Sequence, residues 1–404
     1  MKSIQRGALR WAAALLAGAL MPAFVATAEE SETCIPAISY LPLDGNVVGR
    51  NDQGVAALGT YERVSPDGRF ILRSFSGAKL GQVTLMELPP PGDGPVKAFR
   101  TPFSNEAFPV QGTWRYLVDV NGEHYRLADV LRQQERAKPL FRGGMTGFYA
   151  AASELTPPAD GDPGHVYIRS MSWPQNGDPD QEGVGPLQLD MLEIADDGSQ
   201  ARVVKSDGPR FICALRASTD GNVYALPMIS VDGNEFSAIP QSPRQGKPSM
   251  RVYGLSSNPR AQQHPCDLKA DLGFSPGKAV FGFPRANGAA AWLTYSDVGY
   301  VYVFDRELKQ TFRLDHARHR VLASAFPGIT RDGRVIYGAT WHDCADNSSA
   351  CPERAGYVVA DPYQSAEYRA YWQGRGQTAP KACITVQDVQ RERARFTRMR
   401  GLDH

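Results

Sequence analysis

The chain of 404 residues has no surplus of either charge: 44 Lys+Arg face 43 Asp+Glu. That balance excludes a generic nucleic-acid binder, which needs a basic excess to displace counterions. It also lacks the composition of a disordered chain, since 42% of its residues are hydrophobic and 22% charged, enough apolar surface to build a core. Beyond residue 25 no apolar run approaches the length of about 18 residues that a membrane span requires. The sequence contains no Gly-x-Ser-x-Gly elbow, phosphate loop or dinucleotide fingerprint, which removes the usual signs of a hydrolase domain or a nucleotide enzyme. Cys-x-x-Cys-His is missing too, so covalent haem attachment is not expected.

Glycine (39) and proline (30) make up about one residue in six, a proportion suited to a turn-rich β protein. The chain opens with Lys2, Arg6 and Arg10 around a short apolar run (residues 11–25), followed by Ala26-Thr27-Ala28. This is the pattern of an export signal cut after Ala28. The run is short for a membrane anchor, no Arg-Arg pair indicates the twin-arginine route, and Cys34 lacks a lipoprotein frame. The expected organisation is a signal peptide over 1–28, one domain over 29–390 and a basic tail over 391–404, in a periplasmic or secreted protein. Without the signal, 41 basic residues face 43 acidic ones, and charge does not identify a partner.

Export makes the cysteines informative. Cys34, Cys213, Cys266, Cys344, Cys351 and Cys383 are an even set in an oxidising compartment, which points to disulfides among fifteen possible pairings. Cys34 and Cys383 flank β-rich runs near the two ends and are expected to pair, with Cys213–Cys266 linking neighbouring units. Cys344–Cys351 would clip a polar loop. A metal pair there is the weaker reading, because no second Cys/His pair stands at zinc spacing.

A repeat runs along the chain, a polar turn ending in Gly followed by a β-rich run. It reads Val64-Ser65-Pro66-Asp67-Gly68-Arg69-Phe70, Ala217-Ser218-Thr219-Asp220-Gly221-Asn222-Val223, Phe274-Ser275-Pro276-Gly277-Lys278-Ala279 and Ile329-Thr330-Arg331-Asp332-Gly333-Arg334-Val335. Gly221, Gly277 and Gly333 are evenly spaced, 56 residues apart, and weaker members stand at Gly122 and Gly164. A fixed period of this size is the mark of a propeller or solenoid, with Asp-Gly supplying the positive-φ turn and the β-branched and aromatic residues the strand. The unit after Gly277 reads as four short strands, at about 278–283, 289–295, 300–304 and 310–314, the content of one blade. The fold expected is all-β: a β-propeller of four-stranded antiparallel blades, six in number, with seven as the alternative. One helix is expected on a loop, at about 127–137.

The Ser-Pro-Asp-Gly-Arg-Phe-Ile element resembles the strand-opening motif of TolB-type and WD40-like β-propellers. The standard Trp-Asp dipeptide is absent. The resemblance covers most of the chain as a repeat pattern, implies periplasmic binding or assembly, and carries over no catalytic residue.

Candidate chemistry is sparse. Asp315, His316 and His319 form Asp-His-x-x-His, a possible metal pair, but they sit in an arginine-rich stretch that reads as a solvated connection. His342-Asp343 could be an acid–base pair, although neighbours on a strand face opposite ways. Asp178, Asp180 and Glu182 share a loop without the full calcium-loop pattern. Tyr295, Tyr300, Tyr302, Phe304 and Trp341 fit strand positions and core packing. Arg391, Arg393, Arg395, Arg398 and Arg400 read as a frayed, solvated terminus.

The expected function is that of a non-enzymatic exported propeller binding a protein or cell-envelope ligand through its loops (89–95, 174–186, 238–248 and 342–355). Neither nucleic acid nor a cofactor is expected, and no transmembrane segment in the mature chain. The binding-loop candidates are Trp341, His342, Asp343, Asp346 and Asn347. The alternative is a propeller enzyme, a metal-dependent hydrolase or lyase, with its site at the central channel.

Overall fold

The computed structural model describes residues 33–43, 49–50, 56–57, 61–74, 83–91, 94–103, 107–110, 112–119, 121–142, 147–155, 162, 164–174, 187–195, 200–215, 236–244, 247–256, 290–293, 301–305, 308, 310–314, 322–323, 328–342 and 352–403. They are mostly β.

In chain order, β1 (Ile38–Pro42) is followed by a small hairpin of β2 (Gly49–Arg50) and β3 (Ala56–Ala57). The first sheet is the meander β4 (Tyr61–Val64), β5 (Phe70–Ser74), β6 (Thr84–Glu87) and β7 (Lys97–Arg100). The second is β8 (Ala107–Pro109), β9 (Tyr116–Asp119), β10 (Glu123–Arg126) and β11 (Phe141–Arg142), with α1 (Leu127–Gln133) between its last two strands. A six-stranded sheet comes next, from β12 (Gly147–Leu155), β13 (His165–Pro174), β14 (Leu187–Ala195), β15 (Ala201–Leu215), β16 (Phe236–Arg244) and β17 (Lys247–Ser256). The long β15 is shared. Its stretch 201–210 pairs with β14 and its stretch 211–215 with β17, so one strand serves two meanders. Three strands follow, β18 (Ala290–Leu293), β19 (Val301–Asp305) and β20 (Gln310–Arg313).

The last sheet contains β21 (Leu322–Ala323), β22 (Gly328–Ile329), β23 (Val335–His342) and β24 (Glu353–Ala360). Its outer strand is β1, from the other end of the chain, antiparallel to β24 with Ile38 opposite Ala360 and Pro42 opposite Gly356. Gly356 is required at that crossing, because a Cβ there would stand 2.1 Å from the Leu41 carbonyl oxygen. Residues beside β1 extend the join. The Ile35 N–H donates to the Ile384 carbonyl and the Val386 N–H to the Thr33 carbonyl, both at 2.9 Å, and Cys34 is disulfide-bonded to Cys383.

Sheets whose strands alternate apolar side chains must cover both faces, and here the core is divided accordingly. One apolar layer joins the first sheet (Phe70, Leu72, Leu85) to the second (Leu117, Tyr125). Another joins the second (Tyr116, Val118) to β13 and β14 (Ile168, Leu192, Ile194). A third joins β19 (Val301, Val303) to the last sheet (Val335, Tyr337, Trp341). The fourth joins the last sheet (Ile336, Tyr357) back to the first (Val64, Ile71, Met86).

After the last sheet come α2 (Ala366–Gln373) and α3 (Val386–Arg400). The expected solvated tail is therefore corrected. Residues 386–400 form a helix with a full capping box between Thr385 and Asp388 and a left-handed Gly401 at its C-terminal end, and it buries Val389, Phe396 and Arg400. The arginine density hid an inward stripe, buried at 389, 396 and 400 and half-buried at 393, the helical spacing of one face. The helix expected at about 127–137 is present as α1 and a following 3-10 turn.

Candidate functional site

Two copies of the turn motif lie side by side, and their chemistry organises one end of the sheets. In the turn between β4 and β5 the Ser65 hydroxyl donates to Asp67 at 2.7 Å, and the Arg69 N–H also donates to that carboxylate. In the turn between β22 and β23, Thr330 and the Arg334 N–H treat Asp332 in the same way. Gly68 and Gly333 follow at φ +63° and +107°, a region that costs glycine little. The two turns also touch, since Arg334 Nη2 donates to the Asp67 carbonyl at 2.7 Å.

The two motifs differ in where their guanidinium comes from. Arg334 folds back on Asp332, its Nε 2.9 Å from Oδ1 and its Nη2 2.7 Å from Oδ2. The equivalent Arg69 points away, to Glu87 (2.7 Å) and to the Thr397 hydroxyl (3.0 Å). Asp67 instead receives Arg400, from the end of α3, through two parallel bonds of 2.7 and 3.0 Å. Both side chains of that pair are fully buried. Burial alone would raise the carboxyl of Asp67, but Arg400 and the hydrogen bonds outweigh it and hold it below the usual range. Asp332 is lowered in the same way, by Arg334 against burial.

The remaining contacts of α3 complete a cap over this end. Arg400 Nε donates to the Thr113 carbonyl at 2.7 Å, and Arg393 donates to the carbonyls of Leu88 (3.2 Å) and Pro89 (2.8 Å). Burial, with Arg334 nearby, depresses Arg393 to about 10. The helix thus ties the first sheet to the turn before β9 and, through Arg331 and Glu392, to the last sheet. Both aspartates are saturated by guanidinium, so the arrangement holds elements together. The 89–95 loop begins under this helix rather than apart from it.

A second polar cluster sits between the last sheet and the first. Glu62 on β4 lies directly across from Arg73 on β5 and accepts a 3.0 Å hydrogen bond from the Tyr357 hydroxyl on β24. All three are buried. Burial is the main cause that raises Glu62 to about 7, with Arg73 and Tyr357 pulling the other way. A third cluster lies at the start of β13, where Glu193 accepts from Tyr167 and Arg202, both at 2.7 Å, beside His165. Among the described residues no group of three or more His, Cys, Asp or Glu side chains is placed to hold a metal ion.

Of the binding-loop candidates, Trp341 lies inside β23 at 1% exposure, its ring centroid 5.1 Å from that of Tyr40. It therefore packs across Gly356 of β24 against Tyr40 of β1 and does not project from the loop. His342, half-buried, ends β23 opposite Glu353. Asp343, Asp346, Asn347, Cys344 and Cys351 lie outside the described residues, as do Cys266, Asp178, Asp180, Glu182, Asp315, His316 and His319. For Cys213 only the backbone, in β15, is described. β23 runs from the helix-capped end to His342, at the opposite end of the last sheet. Sequence reasoning missed Arg400, Glu62 and Tyr357. The only local sign was an acid at 62 within an otherwise strand-like run.

No protein-family description matches the sequence, and no curated protein is similar to it. Among solved structures, an oligogalacturonate lyase from Vibrio parahaemolyticus is 12% identical, with 84% of this chain and 100% of that chain covered at a TM-score of 0.35. A GH62 hydrolase in complex with xylotriose is 12% identical over 79% and 96% of the two chains, at 0.27. An oligogalacturonate lyase in complex with manganese is 9% identical over 81% and 98%, at 0.24. At such scores these likenesses carry no argument about this chain.

Proposed function

We propose that the chain is an exported six-bladed β-propeller that binds a protein or cell-envelope ligand through loops at the end of its sheets opposite α3. The ring reading draws on apolar layers between consecutive sheets and on β1 completing the last sheet. Six meanders follow one another along the chain if β15 is counted in both of the sheets it serves.

The observation that carries the binding reading is the sealing of one end by α3 through Arg393 and Arg400. Sealing commits those turns to structure and leaves the loops at the other end, on a rigid frame, as the variable surface. A frame closed by strand, disulfide and helix holds such loops at little ordering cost on binding.

The test replaces residues 345–350 with a Gly/Ser segment, both flanking cysteines kept, and compares it with a double change on the outer side of α3, Arg391→Ser with Arg395→Ser. In pulldowns from periplasm the loop variant is expected to lose partner capture at an unchanged melting temperature, while the helix variant keeps it. Equal capture by the loop variant and the parent chain would overturn the loop assignment.

A further inference from the structure

The join between the last and first sheets is apolar on almost every side: Val64, Ile71, Met86, Ile336 and Tyr357 pack there. Among the described residues, this layer takes in the carboxyl of Glu62, at 4% exposure. The titratable or charged groups facing it are Arg73 from β5 and Tyr357 from β24, and Arg63 on its own strand turns its guanidinium to the Glu62 carbonyl. Tyr357 is itself pushed well up by burial, then by Glu62, so it remains a hydroxyl donor throughout the neutral range. The Glu62–Tyr357 bond spans residues 295 apart in sequence and crosses from one sheet to the other.

We propose that this join is a pH-sensitive closure, tight while Glu62 carries its proton and locally openable once the proton is lost. A neutral carboxyl fits an apolar layer with one hydroxyl partner, whereas a carboxylate there has given up the water it would hold in the opened state. The single arginine offsets only part of that loss, which is why the group keeps its proton up to about pH 7. In an opened join Glu62 would titrate near the ordinary value of 4.5. Opening therefore becomes easier as pH rises between those two values and levels off above the upper one. Each unit of difference is worth a factor of ten, giving on the order of 100-fold in the local opening equilibrium. The disulfide and α3 keep the ends of the chain attached, so the change is confined to the contact between β4 and β24.

The test follows hydrogen exchange of β4 and β24, corrected for the intrinsic pH dependence of exchange, from pH 4.5 to 8.5 in the oxidised full chain. Protection of both strands is expected to fall by on the order of 100-fold with a midpoint below or near pH 7, and Glu62→Gln should flatten the profile. Tyr357→Phe removes the hydrogen bond that favours the charged form, so its midpoint should move to higher pH, and this variant decides the matter if Glu62→Gln does not fold. A flat profile in the parent chain, a parent-like slope in Glu62→Gln or an unmoved midpoint in Tyr357→Phe overturns the proposal.

Discussion

Arg400 shows how much depends on one side chain placed far from its partner. Its guanidinium stands at the first turn where Arg334 stands at the last, and its removal would strip the buried Asp67 carboxylate of its hydrogen-bonded guanidinium. Breaking such a pair from one side costs about 3–5 kcal/mol, because the charge left behind cannot reach water. Arg400→Met is therefore expected to lower the urea midpoint steeply. Arg391→Met, on the exposed side of the same helix, should change stability by no more than about 0.5 kcal/mol. Equal losses in urea titrations of the two variants would contradict this account of the cap. None of it was legible in the sequence. Arg400 looks like its neighbours Arg395 and Arg398, and only the helical phase separates them.

At the scale of elements, the closing strand and its disulfide invite two measurements. The Cys34–Cys383 bond closes a loop of 349 residues, and chain-entropy reasoning assigns such a link up to about 5 kcal/mol. Replacing both cysteines by serine should destabilise the chain in that range while β1 stays paired with β24 at low denaturant, since the strand hydrogen bonds do not need the bond. Loss of exchange protection in β1 without denaturant would count against that separation. Gly356→Ala should do the converse. It leaves the disulfide in place but drives a Cβ into the Leu41 carbonyl and towards the Pro42 Cα, at a cost of about 1–3 kcal/mol and a selective loss of protection in β1.

Several elements were readable in advance: the turns at Gly68 and Gly333, the strands of the β18–β20 sheet, and the pairing of the terminal cysteines. The weak repeat member at Gly122 is instead the hairpin between β9 and β10. The turn that corresponds to Gly68 in the second sheet lies at Gly112-Thr113-Trp114, where Trp114 takes φ +64°. It carries no Asp-Gly, because Glu154 and Arg400 supply the hydrogen bonds that an aspartate would otherwise organise. Tertiary partners had replaced the local signal.

For the whole molecule the carboxyl groups pull stability in opposite directions with pH. Asp67 and Asp332, held low, contribute stability that is present above about pH 4 and lost as pH falls through their folded values. Glu62, held high, contributes stability that is full below its unfolded value near 4.5 and lost as pH rises to about 7. Asp119 and Asp361, raised chiefly by burial, act in the same direction as Glu62. His124, held down at about 4 by burial, pulls the other way from Glu62 over nearly the same range, so unfolding midpoints measured from pH 2.5 to 9 should rise steeply to about pH 4–5 and then change little. A continuous rise from pH 4 to 8 would rule out this balance.

The borrowed guanidinium at the first turn also sets an order of events in time. The first sheet is among the earliest parts of the chain to be made, yet Asp67 waits 333 residues for its partner. Until residue 400 has left the ribosome, and has crossed any membrane the chain is threaded through, that sheet lacks the guanidinium of its buried carboxylate, and β1 waits for the edge of the last sheet. Assembly of this end of the sheets is thus gated by the arrival of α3. Folding of this end should be complete only once residue 400 has emerged, the more so because long-range pairing is slow.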